Sequence, residues 1–364
     1  MEKESFWHRI KRAVIGKSRD YNDKNIFHSM SLIAFFAWVG LGADGLSSSC
    51  YGPQEAFLAL NGHIYLSVFV ALATVATIFI ISASYSQIVE LFPSGGGGYL
   101  VASKLLSPTA GMVSGCALMI DYVLTITVSI AAGADAVFSM LPPEWQGARL
   151  HFAAAALILL IILNLRGVKE SILPLVPIFL MFLITHIFII FYALITHAIN
   201  FPDVAASVHK DAASSLSELG ILGTIFIIMR AYSMGAGTYT GIEAVSNSVN
   251  IFREPKVKTA KITIHYMAIS LAFISMGLML AYLLYNVTPV AGKTLNAVFL
   301  QQATLNWDKI PANIFIVIAL FSEATLLFVA AQAGYLGGPR VLANMALDRW
   351  FPTRFSAMSD RLVN

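Results

Sequence analysis

Gly42-Ala43-Asp44-Gly45-Leu46-Ser47-Ser48-Ser49-Cys50-Tyr51-Gly52-Pro53 interrupts an apolar run that begins near His28 and resumes to Leu60. A second interruption, Ser233-Met234-Gly235-Ala236-Gly237-Thr238-Tyr239-Thr240-Gly241-Ile242-Glu243, divides the run from about Leu219 to Phe252. Gly, Ser and Pro inside such runs free backbone polar groups that hydrocarbon cannot satisfy. Broken backbone at membrane depth is tolerated only where protein encloses it or it lines a cavity. Both stretches therefore read as half-helices meeting at a cavity.

Composition supports that setting. The chain has 364 residues, 57% of them hydrophobic and only 12% charged, against about 25% charged in soluble domains. The apolar residues form long runs rather than alternating strands, which disfavours an outer-membrane barrel and points to an all-α integral membrane protein. A net charge of +3 is too balanced for nucleic-acid binding, so no nucleic-acid partner is expected. Cys50 and Cys116 supply neither a disulfide framework nor a zinc pattern. Residues 1–28 are polar and basic with no signal-peptide core, and are expected to be a retained cytosolic N-terminal segment.

A helix needs about 20 apolar residues to cross the hydrocarbon layer, and eight runs approach or exceed that size. They are 28–60, 63–91, 108–141, 150–165, 172–199, 219–252, 260–284 and 311–336, the first and sixth broken. With the amino terminus in the cytosol, Arg149, Lys210, Lys293 and Lys309 fall outside and Arg230 within the sixth segment. The rest of the 23 Lys and Arg residues fall inside, as the positive-inside rule requires. The breaks lie five segments apart and enter from opposite sides, the pattern of an inverted repeat with a midplane site. The organisation expected is a first five-helix repeat over 29–199 and a second over 200–364 holding three of its five helices. The chain is expected to be a fragment of a longer one.

Glycine in membrane helices also allows close helix packing, and one break alone would not argue against that simpler reading. Each break, however, carries a carboxylate, Asp44 in the first and Glu243 in the sixth, and Asp121 lies in the third segment. An Asp at a helix centre costs at least about 2.5–3.5 kcal/mol on insertion scales. Cation coordination or proton carriage would compensate. On the third segment Tyr122, Thr125 and Ser129 share one face at i, i+3 and i+7, with Asp121 beside Thr125. Thr240 and Glu243 repeat the i, i+3 spacing after the second break. These are hard oxygen ligands, suited to a hard cation. The half-helix expected to end near Ala43 would add the negative end of its dipole. Thr and Ser can instead bond their own i−4 carbonyls, so the hydroxyls gain weight only from facing the breaks.

Gly95-Gly96-Gly97-Gly98-Tyr99 lacks the phosphate-loop form and is expected to be a flexible cytosolic connection. The eight histidines, His186 among them, show no metal spacing and read as structural groups, most of them near the membrane interfaces. No nucleophile–base pair or cofactor motif appears, so the chain is not expected to be an enzyme or to carry a cofactor.

The segment Ala43-Asp44-Gly45-Leu46-Ser47-Ser48-Ser49-Cys50-Tyr51-Gly52-Pro53 resembles the KimA-type potassium importers, related to the KUP transporters within the amino acid–polyamine–organocation superfamily. Phe92-Pro93-Ser94-Gly95-Gly96-Gly97-Gly98-Tyr99, Ile120-Asp121-Tyr122-Val123-Leu124-Thr125, Thr240-Gly241-Ile242-Glu243 and Gly338-Pro339-Arg340 extend the similarity along the chain. The resemblance implies a LeuT-like fold and proton-coupled potassium uptake. It maps potassium ligands onto Asp44, Tyr51, Asp121, Tyr122, Thr125, Ser129, Thr240 and Glu243. Glu243 and Asp121 are the expected proton carriers. Tyr51 enters through the resemblance alone.

A multi-pass protein of a bacterial inner membrane is expected, with potassium, protons and lipid as partners and a homodimer left open. An amino-acid or polyamine carrier on the same scaffold, and a non-transporting scaffold, are the competing readings.

Overall fold

A computed structural model describes residues 32–93, 95–165 and 172–356. The leader expected over 1–28, Ser94, Arg166 and Lys169, and Arg361 lie outside the described residues.

The described residues form helices and no sheet. In chain order they are α1 (Ala34–Ser47), α2 (Gly52–Leu58), α3 (Ser67–Leu91), α4 (Gly97–Leu105), α5 (Pro108–Phe138), α6 (Arg149–Leu165), α7 (Ile172–Thr196), α8 (Phe201–Met234), α9 (Ala244–Asn247), α10 (Lys256–Leu284), α11 (Leu295–Ala303) and α12 (Lys309–Leu347). Among the described residues seven helical stretches, one of them holding the second break, are long and apolar enough to cross a membrane. The broken α1–α2 pair adds the segment that no single helix supplies. The protein is a multi-pass, all-α membrane protein of the LeuT-like class.

Segment one begins where segment six ends. Leu32 N–H donates to the Ile251 carbonyl at 2.8 Å, and Arg253 N–H donates to Leu32 O at 2.9 Å. The two broken segments thus run in opposite senses past one another.

Lipid tails are as apolar as leucine, so helix association draws on close packing and interhelical hydrogen bonds rather than on escape from water. Small residues mark the tight contacts. A β-carbon on Gly277 of α10 would lie 2.6 Å from Ile190 of α7, and one on Gly334 of α12 would lie 2.7 Å from Ile126 of α5. α10 is the central helix, with Ile264, Leu271, Leu278 and Tyr282 buried along its length. α6 buries no residue and lies at the periphery. Large apolar side chains such as Ile80, Ile120, Leu222 and Phe226 are exposed, as lipid-facing positions require.

Three expectations change. The Gly95–Gly98 run does not make a wholly flexible connection: α4 starts at Gly97, whose φ of 56° suits glycine, and buries Tyr99. Part of the loop expected between segments five and six is helical, because α8 begins at Phe201 and is broken only at Gly220, where φ is 70°. The eighth segment runs to Leu347 rather than Leu336, because the stretch past Gly337 packs against α5 through the Tyr122 ring.

Candidate functional site

The two breaks cross each other. α1 continues to Ser47 and passes into a single 3₁₀ turn, Ser48–Cys50, so its carbonyl end is not near Ala43. Three serines line this last turn. Ser47 Oγ donates to Asp44 O at 2.7 Å, Ser49 Oγ to Leu46 O at 2.6 Å, and Ser48 Oγ to Gly45 O. The Ser48 backbone N–H also donates to Gly45 O and Leu46 O, so the hydroxyls add to the backbone bonds that close the last turn. Ser48 Oγ also reaches the other broken segment, donating to Thr238 O at 2.8 Å.

On that side α8 ends at Met234, and a 3₁₀ turn covers Gly235–Tyr239. Thr240 is extended, Gly241 has φ 90°, and Glu243 immediately precedes the four-residue α9 without a side-chain capping bond. Thr240 and Glu243 therefore stand in a turn rather than along a helix face. The Thr240 hydroxyl donates back to Gly237 O at 2.9 Å, which closes that turn.

Glycine permits the crossing. A β-carbon on Gly241 would lie 2.6 Å from Gly45 N, and one on Gly52 only 2.0 Å from Thr238 Oγ1. A β-carbon on Gly235 would meet Ala56 Cβ at 2.8 Å, and one on Gly237 the Tyr51 ring at 2.7 Å. Close packing and broken backbone are here one feature, not alternatives.

Six of the eight expected residues gather at this crossing. The Tyr51 hydroxyl hydrogen-bonds with the Thr240 side chain and lies within electrostatic reach of Asp44 and Asp121. Asp121 reaches Glu243 in the same way. Tyr122 feels Glu243, Asp44 and Asp121 together, and its hydroxyl accepts from Asn247 Nδ2 at 3.3 Å. Asp44 is buried, while Asp121, Thr240 and Glu243 are half-buried.

Thr125 and Ser129 continue the same buried face of α5, one and two turns beyond Tyr122. Ser129 Oγ is buried and has no hydrogen-bond partner among the described residues. Asp135 does not belong to the cluster. It pairs with Arg149 at 2.8 Å, partly exposed.

Sequence reasoning missed three groups. Tyr85 on α3 lies within electrostatic reach of Glu243 and Asp121, and its only signal was a polar Ser84-Tyr85-Ser86 patch inside an apolar segment. Glu323, in the middle of α12, is 1% exposed and adds a fourth carboxylate at membrane depth. His186 on α7 is 2% exposed, so it sits in the bundle core rather than at an interface. The apolar flanks of Ser322-Glu323 were the available signal for that carboxylate.

Among the described residues no group of three or more His, Cys, Asp or Glu is arranged to hold a resident metal. The crossing instead offers carboxylate, phenol, hydroxyl and backbone oxygens to a hard monovalent cation or an ammonium group. The amino acid permease family pattern matches residues 28–362. The chain belongs to the amino acid permease family.

Within that family of transporters, the chain is 30% identical over 363 residues to the potassium transporter KimA of Bacillus subtilis. The alignment covers 98% of this chain and 57% of that protein, so the chain spans little more than half the length of this relative. A shorter similarity, 29% over 112 residues, links the permease to the low-affinity putrescine importer PlaP of two Escherichia coli strains, covering 30% of this chain and 23% of PlaP.

Proposed function

We propose that this permease is the membrane core of a secondary active importer that carries potassium in symport with a proton. The cation sits where broken segments one and six cross the third segment. The carrying observation is the gathering of Asp44, Asp121 and Glu243 with Tyr51, Tyr122 and Thr240 around two backbones in contact. Three carboxylates at membrane depth are costly without a compensating cation, and oxygen ligands of this kind replace the hydration shell of a hard ion. The similarity to the Bacillus potassium transporter supports the choice of ion.

Thr125 and Ser129 extend the ligand set. Asp121 and Glu243 are near enough to influence one another, and two carboxylates in one low-dielectric site favour holding a proton between them. They are the proton-coupling pair of this reading. The repeat halves, 29–199 and 200–364, move against each other around the site. The amino terminus is cytoplasmic by the positive-inside distribution, in a bacterial inner membrane, with lipid as the surrounding partner and a homodimer as the assembly to test. No catalytic step and no cofactor is assigned.

The 112-residue similarity to putrescine importers favours one alternative, in which the same carboxylates receive a substrate ammonium. Rubidium uptake into a potassium-import-deficient host separates the two readings. Uptake that Asp44→Asn abolishes, and that excess putrescine or amino acids leave unchanged, is the expected result. Uptake unaltered by Asp44→Asn, or displaced by amines, overturns the potassium reading.

A further inference from the structure

A second polar cluster lies apart from the crossing, enclosed by α7, α10, α11 and α12. Its centre is His186 of α7 facing Glu323 of α12, with Nε2 and Oε2 3.8 Å apart. Both side chains are almost fully buried. Among the described residues no lysine or arginine forms an ion pair with either.

The hydrogen bonds leave one proton position open. His186 Nδ1 lies 2.9 Å from the Phe182 carbonyl. A carbonyl only accepts, so Nδ1 carries its hydrogen, and Nε2 is either a bare lone pair or a second N–H. Glu323 Oε1 accepts from Asn296 Nδ2 at 3.0 Å. Among the described residues Oε2 has no hydrogen-bond partner. Two basic atoms thus face each other in the bundle core, and the full loss of an unmatched buried charge is avoided only if a proton joins them.

The cluster is wired to the first break. Asn296 Nδ2 also donates to the Cys50 carbonyl at 3.3 Å, one residue before Tyr51, and Asn296 Oδ1 accepts from the Tyr282 hydroxyl. The titratable groups facing Glu323 are therefore His186 from α7, Cys50 from the turn after α1, and Tyr282 from α10. α11 contributes only the neutral Asn296, and Thr185 adds a hydroxyl beside His186 at 3.3 Å.

We propose that His186 and Glu323 form a proton-binding pair, distinct from the carboxylates at the crossing, whose occupancy is transmitted through Asn296 to the Cys50 carbonyl. With one proton held, Oε2–H donates to Nε2, or Nε2–H to Oε2, and Asn296 stays shared between Glu323 and Cys50. When that proton leaves to water, a carboxylate faces a lone pair, and its nearest donor is Asn296. Drawing Asn296 toward Glu323 releases the Cys50 carbonyl and loosens the turn that holds Tyr51. Proton occupancy thereby sets the shape of the cation site.

This proposal rests on the proton-coupled transport reading, and the test separates the two. The intact transporter is reconstituted in vesicles with rubidium as probe. Accumulation driven by an inward proton gradient is compared with gradient-free exchange at equal pH. Glu323→Gln keeps shape and hydrogen bonding but cannot ionise. It is expected to reduce gradient-driven accumulation by about tenfold while exchange stays within about twofold, a coupling effect of ordinary size. His186→Gln, which keeps a donor near Phe182 O, is expected to show the same split and carries the test if Glu323→Gln does not assemble. Unchanged accumulation in either folded variant overturns the pair. Parallel loss of accumulation and exchange marks a structural role and also overturns it. A wild-type protein whose uptake ignores the proton gradient overturns the symport reading itself, and this pair with it.

Discussion

Gly45 and Gly241 meet backbone to backbone: a β-carbon on Gly241 would fall 2.6 Å from the Gly45 nitrogen and 2.9 Å from its Cα. The obstructing atoms are backbone, which cannot swing aside as the end of a flexible side chain could. Gly241 also has φ 90°, a conformation L-residues adopt only with strain. Gly241→Ala is expected to cost about 1–3 kcal/mol from backbone strain, to add a steric overlap, and to lower rubidium uptake sharply. Gly62 has φ 98° with nothing within 4 Å of its added carbon, so Gly62→Ala serves as control. Equal uptake by the two variants would refute the crossing as a functional contact.

Ser48 and Ser49 are adjacent serines with different tasks. Ser48 Oγ bridges to Thr238 O on the opposite segment, whereas Ser49 Oγ bonds within its own turn, to Leu46 O. Ser48→Ala should lower thermal stability by about 1 kcal/mol and uptake with it, and Ser49→Ala should affect uptake less. Thermal unfolding and uptake on the two variants together check this ordering.

Gly97 lies at the start of α4 and is not one of the expected ligands, yet its added carbon would sit 1.6 Å from Asn247 Oδ1. Asn247 Nδ2 donates to the Tyr122 hydroxyl. Gly97→Ala should therefore push Asn247 off Tyr122 and weaken rubidium affinity without touching a ligand. The apparent affinity measured across rubidium concentrations should fall. An unchanged affinity in a correctly inserted variant would contradict the link.

Tyr99 and Asp348 tie α4 to the residue that follows α12, with the phenol donating to Asp348 Oδ2 at 2.5 Å. Burial first, and then the Asp348 carboxylate, push the Tyr99 phenol up to about 12 from 10.0. The folded state therefore holds the phenol proton more tightly than the unfolded chain does. Its stabilisation is complete below pH 10 and is lost as pH rises toward 12. Thermal stability should decline across that window, and Tyr99→Phe should flatten the decline while lowering stability at neutral pH. A decline of equal steepness in Tyr99→Phe would assign it to other groups.

The segment count, the two breaks and most of the oxygen cluster are legible in the sequence. The reasons are physical: hydrocarbon demands about 20 apolar residues per crossing and forbids lipid-exposed open backbone. Asp44, Asp121 and Glu243 stood out because charge is rare in such runs. Tyr51 did not, since a tyrosine beside Gly52-Pro53 looks the same whether it turns toward a cation or toward a helix.

The sequence by itself determined that this is a multi-pass helical membrane protein with two interrupted segments, each carrying a carboxylate, because hydropathy and glycine content act locally. Only the tertiary structure decided what the first break rests on, since Ser48 Oγ donates there to Thr238 O of the other broken segment, a partner far away in the sequence. It alone decided that Gly45 lies against Gly241, and that Gly97 begins a helix beneath Asn247. It alone brought Glu323, His186 and Asn296 together, because whether a buried carboxylate is tolerable depends on donors delivered by other helices, far away in the chain.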